Sequence, residues 1–65
     1  MNTLWIERDK DGFLEVYAEK PERLSIGFTG RTLFYPSIED FPEVTWENSP
    51  QQVELKLKDS NGKTT

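Results

Sequence analysis

The chain contains no cysteine and no histidine. These two absences exclude more chemistry than any residue present suggests. Without cysteine there is neither a disulfide framework nor a thiolate nucleophile. Without either residue, a structural zinc site loses both of its preferred ligands. Acid–base catalysis loses the side chain most often used near neutral pH. No serine can join a Ser–His pair, and Ser25, Ser37, Ser49 and Ser60 read as strand, cap, turn and tail residues. The four glycines include no run that would cradle a phosphate at the start of a helix.

Long hydrophobic runs are also missing, so no helix is expected to span a membrane. Met1-Asn2-Thr3 leads straight into a strand pattern, without the basic and apolar regions of a secretory signal. The expected location is cytoplasmic. Lys and Arg total 8 against 12 Asp and Glu, for a net charge of −4. No basic patch interrupts that balance, so a nucleic-acid partner is not expected.

What the chain does carry is alternation and aromatic rings. Its 65 residues allow one domain near the lower size limit. A chain so short buries only roughly 60% of the surface that its unfolded form exposes. The two Trp, two Tyr and four Phe are therefore the main source of burial.

Leu4–Ala18 is the most informative stretch. Two alternating runs flank Asp9-Lys10-Asp11-Gly12, a strong local signal for a β-hairpin. A three-residue loop, Lys10-Asp11-Gly12, with Gly12 in the left-handed region, sets the register. Arg8 then faces Leu14, Ile6 faces Val16, and Leu4 faces Ala18. One face is aliphatic. The other carries Trp5, Phe13 and Tyr17 with Glu7 and Glu15. The register places Glu7 directly opposite Glu15, a like-charge pair that is expected to face water.

Two further hairpins are expected. Leu24–Phe28 and Arg31–Tyr35 pair across Thr29-Gly30, with Leu24, Ile26, Phe28, Leu33 and Tyr35 inward. Glu43–Glu47 and Gln52–Lys58 pair across a four-residue loop, with Val44, Trp46, Val53, Leu55 and Leu57 inward. Between them, Ser37 caps one short 3₁₀ turn near residues 37–41, Phe41 enters the core, and Pro42 stops continuation. The expected fold is therefore all-β: a small antiparallel meander of five to six strands, either a curled sheet or an SH3-like barrel. It forms a single domain over residues 1–58, followed by a disordered polar tail over 59–65.

Asp9-Lys10-Asp11-Gly12 with Glu15 invites a calcium-loop reading. The spacing lacks the third ligand position before the glycine and the flanking helices of an EF-type loop. A plain turn accounts for the same residues, and no metal or other cofactor is expected. Glu7 and Glu15 also suggest a carboxylate pair of the kind glycosidases use, but so small a domain offers little cleft for a sugar. No enzymatic activity is expected. An outward aromatic face is the better candidate, because Trp and Tyr concentrate at binding hot spots. Trp5, Phe13, Tyr17 and Phe34 are the candidate protein-binding residues, with an unknown protein partner or a second copy of the chain in a homodimer.

The pattern as a whole resembles a family of short proteins encoded by gut Bacteroidales and their phages or prophages. The resemblance rests on Trp5-Ile6 leading to Arg8-Asp9-Lys10-Asp11-Gly12, Glu19-Lys20-Pro21, Phe41-Pro42-Glu43-Val44-Thr45-Trp46-Glu47 and Val53-Glu54-Leu55. It implies an accessory protein without an established activity and brings no catalytic residue. The expectation is a non-enzymatic protein-binding module. The alternative is an acidic inhibitor or nucleic-acid mimic acting on a host defence protein.

Overall fold

The computed structural model describes residues 3–55. Six strands form in chain order: β1 Thr3–Arg8, β2 Leu14–Tyr17, β3 Glu22–Arg23, β4 Phe28–Thr29, β5 Thr32–Phe34 and β6 Gln51–Glu54. A four-stranded antiparallel sheet has the order β5-β2-β1-β6, and β3 pairs with β4 as a separate two-stranded ribbon. The fold is a small all-β structure whose sheets do not close into a barrel. The expected tail, and residues 56–58 of the expected last strand, lie outside the described residues.

The first hairpin forms in the expected register, with Ile6 opposite Val16 and Arg8 opposite Leu14. Asp9 N–H donates to Phe13 O at 2.8 Å and Gly12 N–H donates to Asp9 O at 2.9 Å, closing the three-residue loop. Gly12 has φ 101°, a conformation in which a Cβ is strained. β1 and β2 occupy the two central positions of the sheet, and both of its faces bury side chains of these strands. On one face Ile6, Leu14, Val16 and Val44 form the buried core, with Leu4 and Val53 packed against it. On the other, Tyr17 and Glu7 are buried.

The other two expected hairpins are corrected. The chain turns at Leu24–Gly27, where Leu24 N–H donates to Gly27 O at 2.7 Å, not at Thr29-Gly30. Arg23 then pairs with Phe28, and Thr32–Phe34 pairs with β2 instead. Gly30 explains the difference: a Cβ there would lie 3.1 Å from the Tyr17 ring. The backbone at residue 30 therefore packs closely against Tyr17 and Pro21 rather than forming a free hairpin tip. The expected inward residues Leu24, Ile26, Leu33 and Tyr35 are consequently exposed. The β2–β5 register shifts between Val16 and Tyr17, because Val16 faces Phe34 while Tyr17 faces Thr32. Leu33 is thus the extra residue of a bulge on an edge strand.

The third expected hairpin does not form, because β6 pairs with β1. Thr45 and Asn48 bend the chain locally. Thr45 N–H donates to Asn48 Oδ1 at 2.9 Å and Asn48 N–H donates to Thr45 Oγ1 at 3.1 Å. Such side-chain bonds compete directly with a sheet ladder. A cis Ser49–Pro50 peptide leads into β6. Residues 37–40 make a single hydrogen-bonded turn, Asp40 N–H to Ser37 O at 2.9 Å, with no helix. Phe41 is exposed, with φ 52°, and does not enter the core.

Arg8 anchors this long return segment. Its guanidinium donates to Val44 O at 2.6 Å, Gly12 O at 2.7 Å, and the carbonyls of Ile38, Asp40 and Phe41 at 3.1 Å each. All five of its N–H donors are thereby used on backbone acceptors. That arrangement carries Val44 onto the aliphatic face.

Candidate functional site

The polar face of the first hairpin holds a cluster of carboxylates. Glu7 and Glu15 stand opposite one another on β1 and β2, and Asp9 follows Glu7 on the same side at the start of the turn. Each offers an oxygen, and these three oxygens lie within 4.8 Å of one another. Glu7 has 0% of its surface exposed, while Asp9 and Glu15 are half-buried. The expectation that the Glu7–Glu15 pair faces water is therefore wrong for Glu7. The β3–β4 ribbon and its continuation cover this face. Gly30 lies against the Tyr17 ring, and a Cβ at Gly27 would sit 3.2 Å from Asp9 Oδ1.

Hydrogen bonds account for part of the cluster. The Tyr17 hydroxyl lies 2.9 Å from Glu7 Oε2 and 3.0 Å from Glu15 Oε1. Thr32 Oγ1 donates to Glu15 Oε1 at 2.7 Å. A phenol has one proton, so it can donate to only one of its two carboxylate neighbours at a time. Glu7 Oε1 and Asp9 Oδ1, both buried, have no partner. The cluster is short of positive charge: its acceptors outnumber the protons that Tyr17 and Thr32 supply.

The titration behaviour follows from this shortage. Burial pushes the Glu7 carboxyl up to about 8, and the Asp9 side chain and the negative charges of Asp9 and Glu15 add to it, while the bond from Tyr17 works the other way. Burial raises Asp9 as well, although its contact with Glu7 opposes that rise. Burial and the two glutamates raise Tyr17 well above the ordinary phenol range. Glu7 and Asp9 can share a hydrogen bond only when one of them holds a proton. A carboxyl that titrates near neutrality suits general acid–base work, but Glu7 exposes no surface that a substrate could touch.

The four candidate binding residues do not form one patch. Tyr17 is only 1% exposed and belongs to the buried cluster. Trp5 is half-buried, with Lys20 Nζ 5.5 Å from its ring centroid. Phe13 and Phe34 are exposed, at 57% and 53%. Sequence reasoning set Asp9 beside Glu15 only in a calcium-loop reading that it set aside, did not join Glu7 to that pair, and missed Thr32 as a partner of Glu15. The cue that was available is the well-determined register itself, which sets two like charges face to face beside a tyrosine.

A second feature is the open edge at β5. Leu33, Phe34 and Tyr35 are consecutive and exposed, and Tyr35 reaches 70%. Ile38 and Phe41 follow in the next loop and are also exposed. A shallow cavity of about 270 Å³, lined by Lys10, Asp11 and Ile26, lies where the first turn meets the Leu24–Gly27 turn. It brings together one base, one acid and one apolar side chain, with no catalytic grouping. Among the described residues, no helix is long and apolar enough to cross a membrane. No family model, curated protein or solved structure matches the chain.

Proposed function

We propose that the protein is a non-enzymatic protein-binding module, an accessory protein of bacterial or phage type, that works through the apolar edge at β5. The observation that supports this reading is the exposed run Leu33-Phe34-Tyr35, on and just after the edge strand β5, followed along the chain by exposed Ile38 and Phe41. An edge strand offers unpaired backbone groups for strand addition, and flanking apolar side chains supply specificity. Contiguous exposed apolar surface on a small protein marks an interaction site. Of the four candidates, Phe34 lies on this edge strand.

The test compares the full chain with Phe34→Ser as baits against a lysate of the native host, alongside light scattering of both. A partner retained by the wild type and lost with Phe34→Ser supports the reading. So does a wild-type dimer that the substitution turns into monomer, which would identify the partner as a second copy. Identical captured proteins and identical mass for both baits would overturn it.

The alternative reading, an acidic inhibitor or nucleic-acid mimic acting on a host defence protein, draws on one other observation. Residues 39–47 expose Glu39, Asp40, Glu43 and Glu47 with no Lys or Arg among them. Competition between this protein and duplex DNA for one host protein would favour that alternative.

A further inference from the structure

We propose that Glu7, Asp9 and Glu15 form a binding site for a calcium-class divalent cation, with the cation bridging the first hairpin beneath the Leu24–Gly27 turn. The acidic cluster alone would not carry this. Glu7 is completely buried, and although its Oε2 is held by Tyr17, its Oε1 has no hydrogen-bond partner; Asp9, whose side chain lies against Glu7, likewise has a buried Oδ1 without a partner. Folded chains satisfy nearly all of their buried oxygens, because a bare one forfeits its hydration with nothing in return. Two such acceptors against each other need a positive species between them, either a proton shared by Glu7 and Asp9 or a cation, and a third carboxylate beside them favours the cation.

The donor set selects the ion class. Every available atom is oxygen: three carboxylates, with the Tyr17 and Thr32 hydroxyls holding the outer oxygens in place. Such ligands suit hard cations. The three oxygens lie within 4.8 Å of one another, which fits the roughly 4.6–5.2 Å width of a calcium coordination sphere with its ~2.3–2.6 Å bonds. Magnesium binds at ~2.0–2.1 Å and keeps several waters in a strict octahedron. Oxygens spread over a width of up to 4.8 Å suit the longer bonds and flexible shell of calcium better than that compact octahedron. Asp9 and Glu15, half-buried, mark the side from which an ion enters and from which water completes its shell.

The site differs from the calcium loop that the sequence suggests. Asp11 is not a member, because its Oδ1 accepts from Phe13 N–H at 3.4 Å within the turn. The ligands come instead from strand positions 7 and 15 and the first residue of the loop. It shares Thr32 with β5 but uses none of the exposed apolar side chains of that edge, so failure of either proposal leaves the other standing.

The test uses the full chain after chelator treatment, at pH 7.5. Terbium, a luminescent stand-in for calcium, is added while Tyr17 and Trp5 are excited, and thermal melts are recorded with calcium or magnesium. The expected result is a saturable one-to-one terbium signal that calcium displaces. Calcium is expected to raise Tm more than the same concentration of magnesium. Glu15→Gln, which keeps an acceptor for Thr32 at a half-buried position, is expected to weaken terbium binding at least about tenfold. Glu7→Gln is expected to do the same, and if it does not fold, Glu15→Gln decides. Melts identical with chelator and with calcium would overturn the proposal, since the cluster would then hold a proton only. A terbium signal unchanged in Glu15→Gln would overturn it by placing the ion on exposed acids. A magnesium response equal to that of calcium would overturn the calcium assignment.

Discussion

Glu7 and Glu15 are cross-strand neighbours bridged by one tyrosine hydroxyl, yet only Glu15 retains contact with solvent. The pleat puts both on the same face. What separates them is burial: the segment folded over that face meets Asp9 at Gly27 and Tyr17 at Gly30, and Glu7 keeps no exposed surface. One carboxyl therefore titrates far from its ordinary range, while its partner is held by Tyr17 and Thr32.

That difference predicts an inverted pH dependence for the metal-free protein. Glu7 binds its proton more tightly folded, up to about 8, than unfolded, at 4.5. Between those values the native state holds more protons than the unfolded state, so stability falls as pH rises. The contribution is complete below about pH 4.5 and is lost as pH passes 8. The slope from this group alone approaches roughly 1.4 kcal/mol per pH unit. Urea unfolding in chelator at pH 5.5, 6.5 and 7.5 should show it. Glu7→Gln, a neutral isostere that still accepts from Tyr17, should flatten the profile and be the more stable protein at pH 8. The groups facing Glu7 are Asp9, Glu15 and Tyr17, and none supplies a compensating positive charge. An unaltered slope in Glu7→Gln would assign the dependence elsewhere.

Arg8→Lys should loosen the return segment while leaving the first hairpin intact. Lysine has three donors and no planar fork, so it cannot reproduce five carbonyl contacts. The expected loss is about 2 kcal/mol or more, since hydrogen bonds from charged donors contribute about 1.5–3 kcal/mol each. Hydrogen exchange locates it. The amides of Asp40 and Val44, which donate to Ser37 O and Phe41 O, should exchange faster, with β1–β2 amides keeping their relative protection. Uniform acceleration across both regions would mean that Arg8 supports the whole fold equally.

A second arginine joins the ribbon to the loop before β6. The Arg23 guanidinium sits 3.8 Å from the Trp46 ring centroid and 5.6 Å from that of Phe28, and donates to Trp46 O at 3.0 Å and Ser49 O at 3.2 Å. Phe28 and Trp46 meet edge to face at 5.7 Å. Arg23→Ala should cost ~1–2 kcal/mol. Combined with Trp46→Leu, it should cost less than the sum of the two, because both changes remove one shared contact. Strict additivity in denaturant unfolding would show that the stack contributes nothing.

How much of this was legible beforehand varies along the chain. The first hairpin was readable in its register from Ile6–Val16 to Arg8–Leu14 and in the role of Gly12, because its turn chemistry and alternation are local and agree. The expected Leu4–Ala18 pair, by contrast, does not form, and Ala18 is exposed. Val44 and Val53 were recognisable as core residues from alternation, although their strand partners were not. The segment from Leu24 to Tyr35 was misread because its alternation is real but does not face a core. It lies over Tyr17 and along an edge, where apolar residues are left exposed. The carboxylate cluster was half visible, as two opposed glutamates, but solvent was the natural assumption for such a pair.

The sequence by itself therefore determined the all-β class and the β1–β2 register, since both depend on residues close together along the chain. Tertiary structure alone decided that β6 and β5 flank this hairpin, and that Glu7 is buried while Glu15 is not. Pairing partners are selected by long-range burial, and the titration of a carboxyl depends on what covers it. Here the cover is a ribbon beginning fifteen residues after Glu7, and no spacing within the first hairpin encodes its path.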